Sequence, residues 1–334
     1  MLVTSLANPA IQDLVRKSFI TASYREAGDV RSIFHKETSG WESDTKRIYE
    51  FDRERFAEVK IEGGASTQRG IAQGYFKDIK RKTISIARLI SGEAFKALTA
   101  YQLSNYASQV SDDITDKIEL DMRNFIGYGD ATSYTDNGGM TVDTTVGDGF
   151  QLFYTAHTLK NSAVTYTNVL SGAPSFNEAS IDDAEDFFNY NVMDNYGQRI
   201  TMRPNTIVTT RKAVVVNRVR RLLMSISPEK IEGTANANDG VDNPYKGKYR
   251  HLVVEVDVNA LNVTDSSKSF YWYLACLGGM PETSFQGYYV SWLSPMVAPA
   301  EIDQDKWFMK FVARACYGIG ALSGKGMLLS KATS

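Results

Sequence analysis

From Tyr106 to Ile126 an apolar residue returns at every fourth position: Tyr106, Val110, Ile114, Ile118, Met122 and Ile126. Phe95, Leu98 and Leu103 carry the stripe upstream, so the spacing predicts one helix from Ser91 to about Gly127 with an apolar face throughout. Ser91 suits the N-cap, Glu93 the positive end of the helix dipole, and Gly127 the stop. At 1.5 Å per residue this is a rod of roughly 50 Å. Every other element must be laid along it or across it, and a compact catalytic domain seldom needs such a rod.

A charged ribbon at residues 47–88 precedes the rod. Its first arm alternates, with Ala57, Val59 and Ile61 on one face and Glu58, Lys60 and Glu62 on the other. Gly63, Gly64, Ala65, Ser66 and Thr67, then Arg69, Gly70 and Gly74, make a tip rich in small residues. The returning arm carries Lys77, Asp78, Lys80, Arg81 and Lys82 on both faces before Ile84 and Ile86 restore alternation. An arm charged on both faces cannot pack into its own core there, so the distal ribbon is expected to project. Residues 51–90 hold nine Lys/Arg against five Asp/Glu, a balance of +4, and residues 91–130 hold three against seven, a balance of −4. A basic ribbon and the acidic rod of another copy attract, which sets specificity and association rate. Lys80, Arg81 and Lys82 are expected to face Asp112, Asp113 and Asp116 of a neighbouring subunit. Gly63, Gly64, Arg69 and Lys77 complete the expected contact set, and excising about residues 61–74 is expected to leave a folded subunit.

With 334 residues, net charge −2 and 43% hydrophobic residues, the chain is long enough for a large core in one elaborated domain or two. Near-neutral charge argues against tight sequence-independent binding of nucleic acid, which needs a basic surface. Two cysteines, Cys276 and Cys316, make no disulfide framework; both read as small buried apolar residues of a reducing compartment. No apolar run approaches the ~20 residues that span a bilayer, and Met1–Ala10 lack the features of a signal peptide.

Ile11, Leu14, Val15 and Phe19 suggest one short amphipathic helix in an N-terminal arm over 1–46. Residues 128–175 are dominated by Gly, Asp, Thr, Ser and Asn and read as a loop-rich insertion. An α/β unit follows. Ser180 with Asp183 forms a capping box, and Ala184, Phe187, Phe188 and Val192 mark the buried stripe of a helix ending near Gly197. Pro204 introduces a strand at 207–210, and residues 211–224 suit a helix with Arg218, Arg220 and Arg221 outward. Further strands are expected at 251–258, 270–277 and 285–293, and a last strand pair at 308–317 and 326–329.

No constellation for catalysis emerges. His35, His157 and His251 stand far apart, without partners at metal-ligand spacing. Ser323-Gly324-Lys325-Gly326 fails as a phosphate loop, because position 319 is not glycine and Gly326 replaces the required hydroxyl. Asp130, Asp136, Asp143 and Asp148 miss the calcium-loop spacing and read as a solvated loop. The sequon Asn262-Val263-Thr264 lacks an export signal, and no cofactor fingerprint is present.

Several strings in order carry a resemblance. "PNTIVTTRKAVVVNRVRRLL", "NPYKGKYRHLVVEVDVNAL" followed by "FYWYLACLGG", "GFQLFYTAHTLKN" and the closing "WFMKFVARACYGIGAL" resemble passages of the major capsid (head) proteins of tailed bacteriophages. The resemblance covers nearly the whole chain and implies an α+β fold of the Hong Kong 97 type. That fold comprises an N-terminal arm over 1–46, an extended β-hairpin (E-loop) over 47–90, and a peripheral domain over 91–179 plus 301–334. The peripheral domain holds the spine helix, and an α/β axial domain covers 180–300. The resemblance further implies self-assembly as hexamers and pentamers into an icosahedral head shell enclosing packaged double-stranded DNA. Its implied partners are a scaffolding protein, a portal, decoration proteins and weakly held DNA, with assembly in the host bacterial cytoplasm and no membrane or cofactor. The long charged helical N-terminal segment that some relatives use as a fused scaffold is missing here, so scaffolding is expected from a cleaved segment or a separate chain. An encapsulin-like nanocompartment shell shares the fold, and a soluble enzyme with an unrecognised site and a tail or decoration protein are the remaining classes.

Overall fold

The computed structural model describes residues 29–53, 71–91, 100–225, 243–279, 283–297, 301–303 and 308–333. A 3₁₀ turn at Asp29–Ile33 leads into β1 (His35–Thr38). Strands β2 (Thr45–Arg53) and β3 (Ile71–Lys80) form an antiparallel hairpin root, and β4 (Lys82–Ser91) follows at once. Helix α1 (Ala100–Gly127) comes next, then two small ribbons, β5 (Ser133–Thr135) with β6 (Thr141–Asp143) and β7 (His157–Leu159) with β8 (Ser162–Tyr166). Helix α2 (Glu178–Asp186) runs into a π-helical turn at Phe187–Asn191, followed by β9 (Thr206–Thr209), α3 (Ala213–Met224), β10 (Arg250–Val253) and β11 (Trp272–Ala275). The last strands are β12 (Gly287–Val297), β13 (Glu301–Asp303), β14 (Phe308–Ala321) and β15 (Met327–Ser330).

The four-residue stripe does what its spacing demands. Val110, Ile114, Ile118, Met122 and Ile126 are each at most 2% exposed, with Phe125 buried beside them. Burial of these five side chains is worth of order 10 kcal/mol before the entropy of ordering is counted. The expected start at Ser91 is corrected: Ser91 is the last residue of β4, opposite Phe308 of β14. The period-two run Ile84, Ile86, Arg88, Ile90 extends through it and overrides the capping signal. The expected upstream stripe at Phe95 and Leu98 lies outside the described residues. Helix α1 ends at Gly127, where a Cβ would stand 2.3 Å from the Val256 carbonyl oxygen, so only glycine fits.

Helix α1 lies against a five-stranded sheet in which β1 runs parallel to β12, β12 antiparallel to β14, and β14 antiparallel to β4 and β13. Val30, Ile33 and Phe34 join the same core; the Phe34 ring meets Phe125 edge-on at 6.1 Å. In a second sheet, ordered β10-β9-β11-β15, the strands β9, β11 and β15 are buried on both faces, while edge strand β10 exposes Arg250. Val208, Leu252, Tyr273 and Leu329 face the core around α1, while Ile207, Leu274 and Leu328 face α2 and α3.

Several expectations change. The closing strands do not pair with each other: β14 is held between β12 and β4, and β15 pairs with β11. Strand β12, expected in the second unit, therefore belongs to the sheet under α1, and β15 crosses the other way. The cap of α2 is Asn177, reciprocally bonded with Ser180, because Asn177 holds the extended backbone that a cap needs. That helix ends at Asp186, although Ala184, Phe187, Phe188 and Val192 are buried as expected. Helix α3 does keep Arg218, Arg220 and Arg221 outward.

Candidate intersubunit interface

The hairpin root is two-faced. Its inward face carries Ile48, Glu50, Lys77 and Ile79. Ile79 packs with Tyr288, Val290, Trp292, Cys316 and Leu322. It reaches them because β14 carries Gly318 and Gly320 beneath it; a Cβ at Gly320 would stand 2.8 Å from Ile79 Cγ1. Lys77 Nζ donates to Asp143 Oδ2 at 2.6 Å and to Thr145 Oγ1 at 2.7 Å. Lys160 Nζ donates to the Gly74 carbonyl at 2.7 Å. Deepest lies Glu50, whose Oε1 takes Lys325 Nζ at 3.0 Å and whose Oε2 takes Asn195 Nδ2 at 2.7 Å. The root is thus tied to three distant stretches of its own chain.

The outward face bears the register pairs Thr45/Lys80, Arg47/Asp78 and Tyr49/Phe76. Arg47 makes a two-pronged ion pair with Asp78 at 2.6 and 2.7 Å, and its guanidinium lies 4.3 Å from the Phe76 ring centre. Tyr49 and Phe76 are exposed neighbours, with ring centres 6.4 Å apart. At the foot of the hairpin Arg81 pairs with Asp44 and covers exposed Trp41 at 4.8 Å. The surface offered outward therefore combines exposed aromatic rings with Arg charges that are already paired.

The charged residues expected to bridge subunits separate into three groups. Gly63, Gly64 and Arg69 lie outside the described residues. Lys80 is exposed on the outward face, and Asp116 is exposed and Asp112 half-buried on α1. Lys77, Arg81, Lys82 and Asp113 have partners in their own chain, Asp113 with Arg88 at 2.5 Å. Lys82 is the clearest correction. It is half-buried, donating to buried Asp121 at 2.7 Å and to Asp136, while Lys117 Nζ and Tyr317 Oη also reach Asp121, at 2.6 and 2.5 Å. Charge on both faces of the arm signals internal pairing here, because the loop-rich insertion and α1 bring carboxylates to it. Burial opposes the Lys82 charge, yet Asp121 and Asp136 outweigh it and raise the ammonium pKa. Burial likewise opposes the Asp136 and Asp143 charges, but donors from Lys82 and Lys77 and from backbone and Thr145 groups hold both carboxyls below the usual range.

The acidic insertion is correspondingly no solvated loop. Asp130 pairs with Lys331, Asp136 with Lys82, Asp143 with Lys77, and Asp148 with buried His157 at 2.8 Å. His35 meets Ser284, and His251 meets Thr209. Both cysteines are free and buried, and burial pushes the Cys276 thiol up to about 12. Among the described residues no group of three or more His, Cys, Asp or Glu side chains is placed to hold a metal ion, and no helix is long and apolar enough to cross a membrane. The sequence reading missed Glu50, Asn195 and Lys160 as anchors; Lys325 stood out only as part of a failed phosphate loop.

No protein-family model matches the chain, and no curated protein matches it. Solved structures do. It is similar to the capsid structure of the Cyanophage P-SCSP1u, with TM-score 0.51 at 8% identity over 89% of this chain and 85% of that one. It is also similar to the capsid of a native GTA particle computed with C5 symmetry, with TM-score 0.50 at 11% identity over 91% and 90%. This chain has the phage capsid fold. A structure from Mycobacterium phage Adephagia shares 9% identity over 91% of this chain and 89% of that one, at TM-score 0.48.

Proposed function

We propose that this chain is a major capsid protein, self-assembling as hexamers and pentamers into an icosahedral shell that encloses packaged double-stranded DNA. The observation that carries the reading is the hairpin root. Its inward face is fixed by Ile79, Lys77 and the buried Glu50–Lys325 pair, while its outward face leaves the Tyr49 and Phe76 rings exposed. A hairpin held that firmly at its base and offered outward suits contact with another copy. Of the expected contact set, Lys80 lies on this surface and Asp112 and Asp116 lie on α1, with Gly63, Gly64 and Arg69 at the tip. The α1 lobe acts as the peripheral domain and the β9–β11 lobe as the axial one. A scaffolding protein and a portal act during assembly in the host cytoplasm, decoration proteins bind the finished shell, and DNA is held by weak, non-specific contacts.

Removing residues 61–70 tests this, because it spares strand β3, which the broader excision through 74 would have cut. The variant is expected to melt like the wild type yet form no closed shells by negative-stain microscopy. Wild-type protein that stays a small globular monomer would overturn the reading.

A further inference from the structure

Between β10 and β11 the chain throws out a short knob. Val258 and Thr264 bridge its base, and the Asn259 side chain caps the tip by accepting from Leu261 N and Val263 N at 2.9 and 3.0 Å. Asn262 takes a left-handed φ of 59°, which asparagine tolerates. This stiff tip exposes two apolar side chains, Leu261 at 70% and Val263 at 57%. Docking such a rigid turn costs side-chain order but little backbone order.

A cavity of about 430 Å³ opens elsewhere on the same lobe. Phe176 and Leu222 form its apolar wall, Met224 stands 75% exposed at its lip, and Arg218 and Arg221 lie on its rim. Asn243 stiffens it by donating to the Leu222 and Ser225 carbonyls at 2.5 and 3.1 Å. The knob cannot fill its own chain's cavity. Its stem is tied by Glu255 to Arg211, ahead of α3, whereas the cavity gathers around the last turns of α3, a helix of twelve residues and about 18 Å.

We propose that the Leu261/Val263 knob of one copy seats in the Phe176/Leu222/Met224 cavity of the next copy. Charge agrees with the occupant: Asp265, partly exposed at the knob's base and 3.8 Å from Lys268, would face a cavity lined by two cations, Arg218 and Arg221, and one carboxylate, Glu178. Complementary patches at different places on one chain make a head-to-tail contact, which closes into a ring when the rotation permits. This rests on the capsid reading and adds to it a contact in the β9–β11 lobe, away from the hairpin.

The test is a Leu261→Cys/Met224→Cys double variant of the full chain, mildly oxidised and run on a denaturing gel without reductant. Cys276 and Cys316 are buried and do not compete. A ladder of dimer, trimer and higher species is expected, with at least tenfold less cross-linking in either single variant. A Leu261→Asp/Val263→Asp variant is expected to melt like the wild type and give at least tenfold fewer closed particles. Particles from the double-cysteine variant that yield no ladder overturn the knob contact and leave the capsid reading standing. Wild-type chain that never assembles overturns the capsid reading itself.

Discussion

Replacing Lys325 by Met removes the cation from a buried pair in which the Lys325 and Glu50 side chains are 7% and 8% exposed. Glu50 then keeps a single neutral donor, Asn195 Nδ2. Orphaning a buried charge in this way costs about 3–5 kcal/mol, and the surviving Asn195 bond places this case near the low end, about 3 kcal/mol. A chain of 334 residues unfolds with an entropy of roughly 0.7 kcal/mol/K, so the melting temperature of the unassembled subunit should fall by about 4 °C. The double variant Glu50→Gln/Lys325→Met removes both charges and keeps an acceptor for Asn195. It should melt within about 1.5 °C of the wild type, which makes it about 2 kcal/mol more stable than the single variant. Thermal melts followed by circular dichroism at pH 7 give all the values. If the single and double variants melt together, the cost lies in lost packing of the lysine stem and the ion-pair argument is refuted.

Gly127→Ala should destabilise the subunit by about 3 kcal/mol in denaturant titration, because the new methyl collides with the Val256 carbonyl, which is backbone and cannot swing away. Asp136 and Asp143 have depressed carboxyl pKa values, so their stabilisation is full above about pH 4 and is lost as pH falls through the lowered folded values. Melting temperature should therefore drop on acidification below pH 4, and less steeply in Asp143→Asn; an equal slope in both proteins would contradict the assignment. Cys276→Val and Cys316→Ala should each cost about 1 kcal/mol by thermal melt and leave particle yield unchanged. Chelator and reductant should leave purified particles intact under the electron microscope.

The parts legible in the sequence were those with a local period. The stripe on α1, the alternating β4 run and the apolar strands of the doubly buried sheet each encode their structure within a few residues. Partnership was not legible. Nothing local tells that β14 pairs with β12 and β4 in place of β15, because both readings satisfy the same apolar pattern. The charged arm misled for a related reason. Lys82 looks solvent-bound until Asp121 and Asp136, 39 and 54 residues away, are brought to it. The anchor of Glu50 depends on residues 145 and 275 positions downstream, and no single-sequence spacing reports that.

That last separation has a consequence for the order of events during synthesis. Glu50 and the hairpin leave the ribosome long before Lys325 does, and β4 waits equally long for its partner β14. Until then the base of the Tyr49 and Phe76 strip has only its earlier anchors, Asp143, Thr145, Lys160 and Asn195. The attachment surface thus acquires its geometry only once residues near 325 have joined the lobe. For the capsid reading proposed above, this order would delay linkage between nascent chains until each is a finished building block.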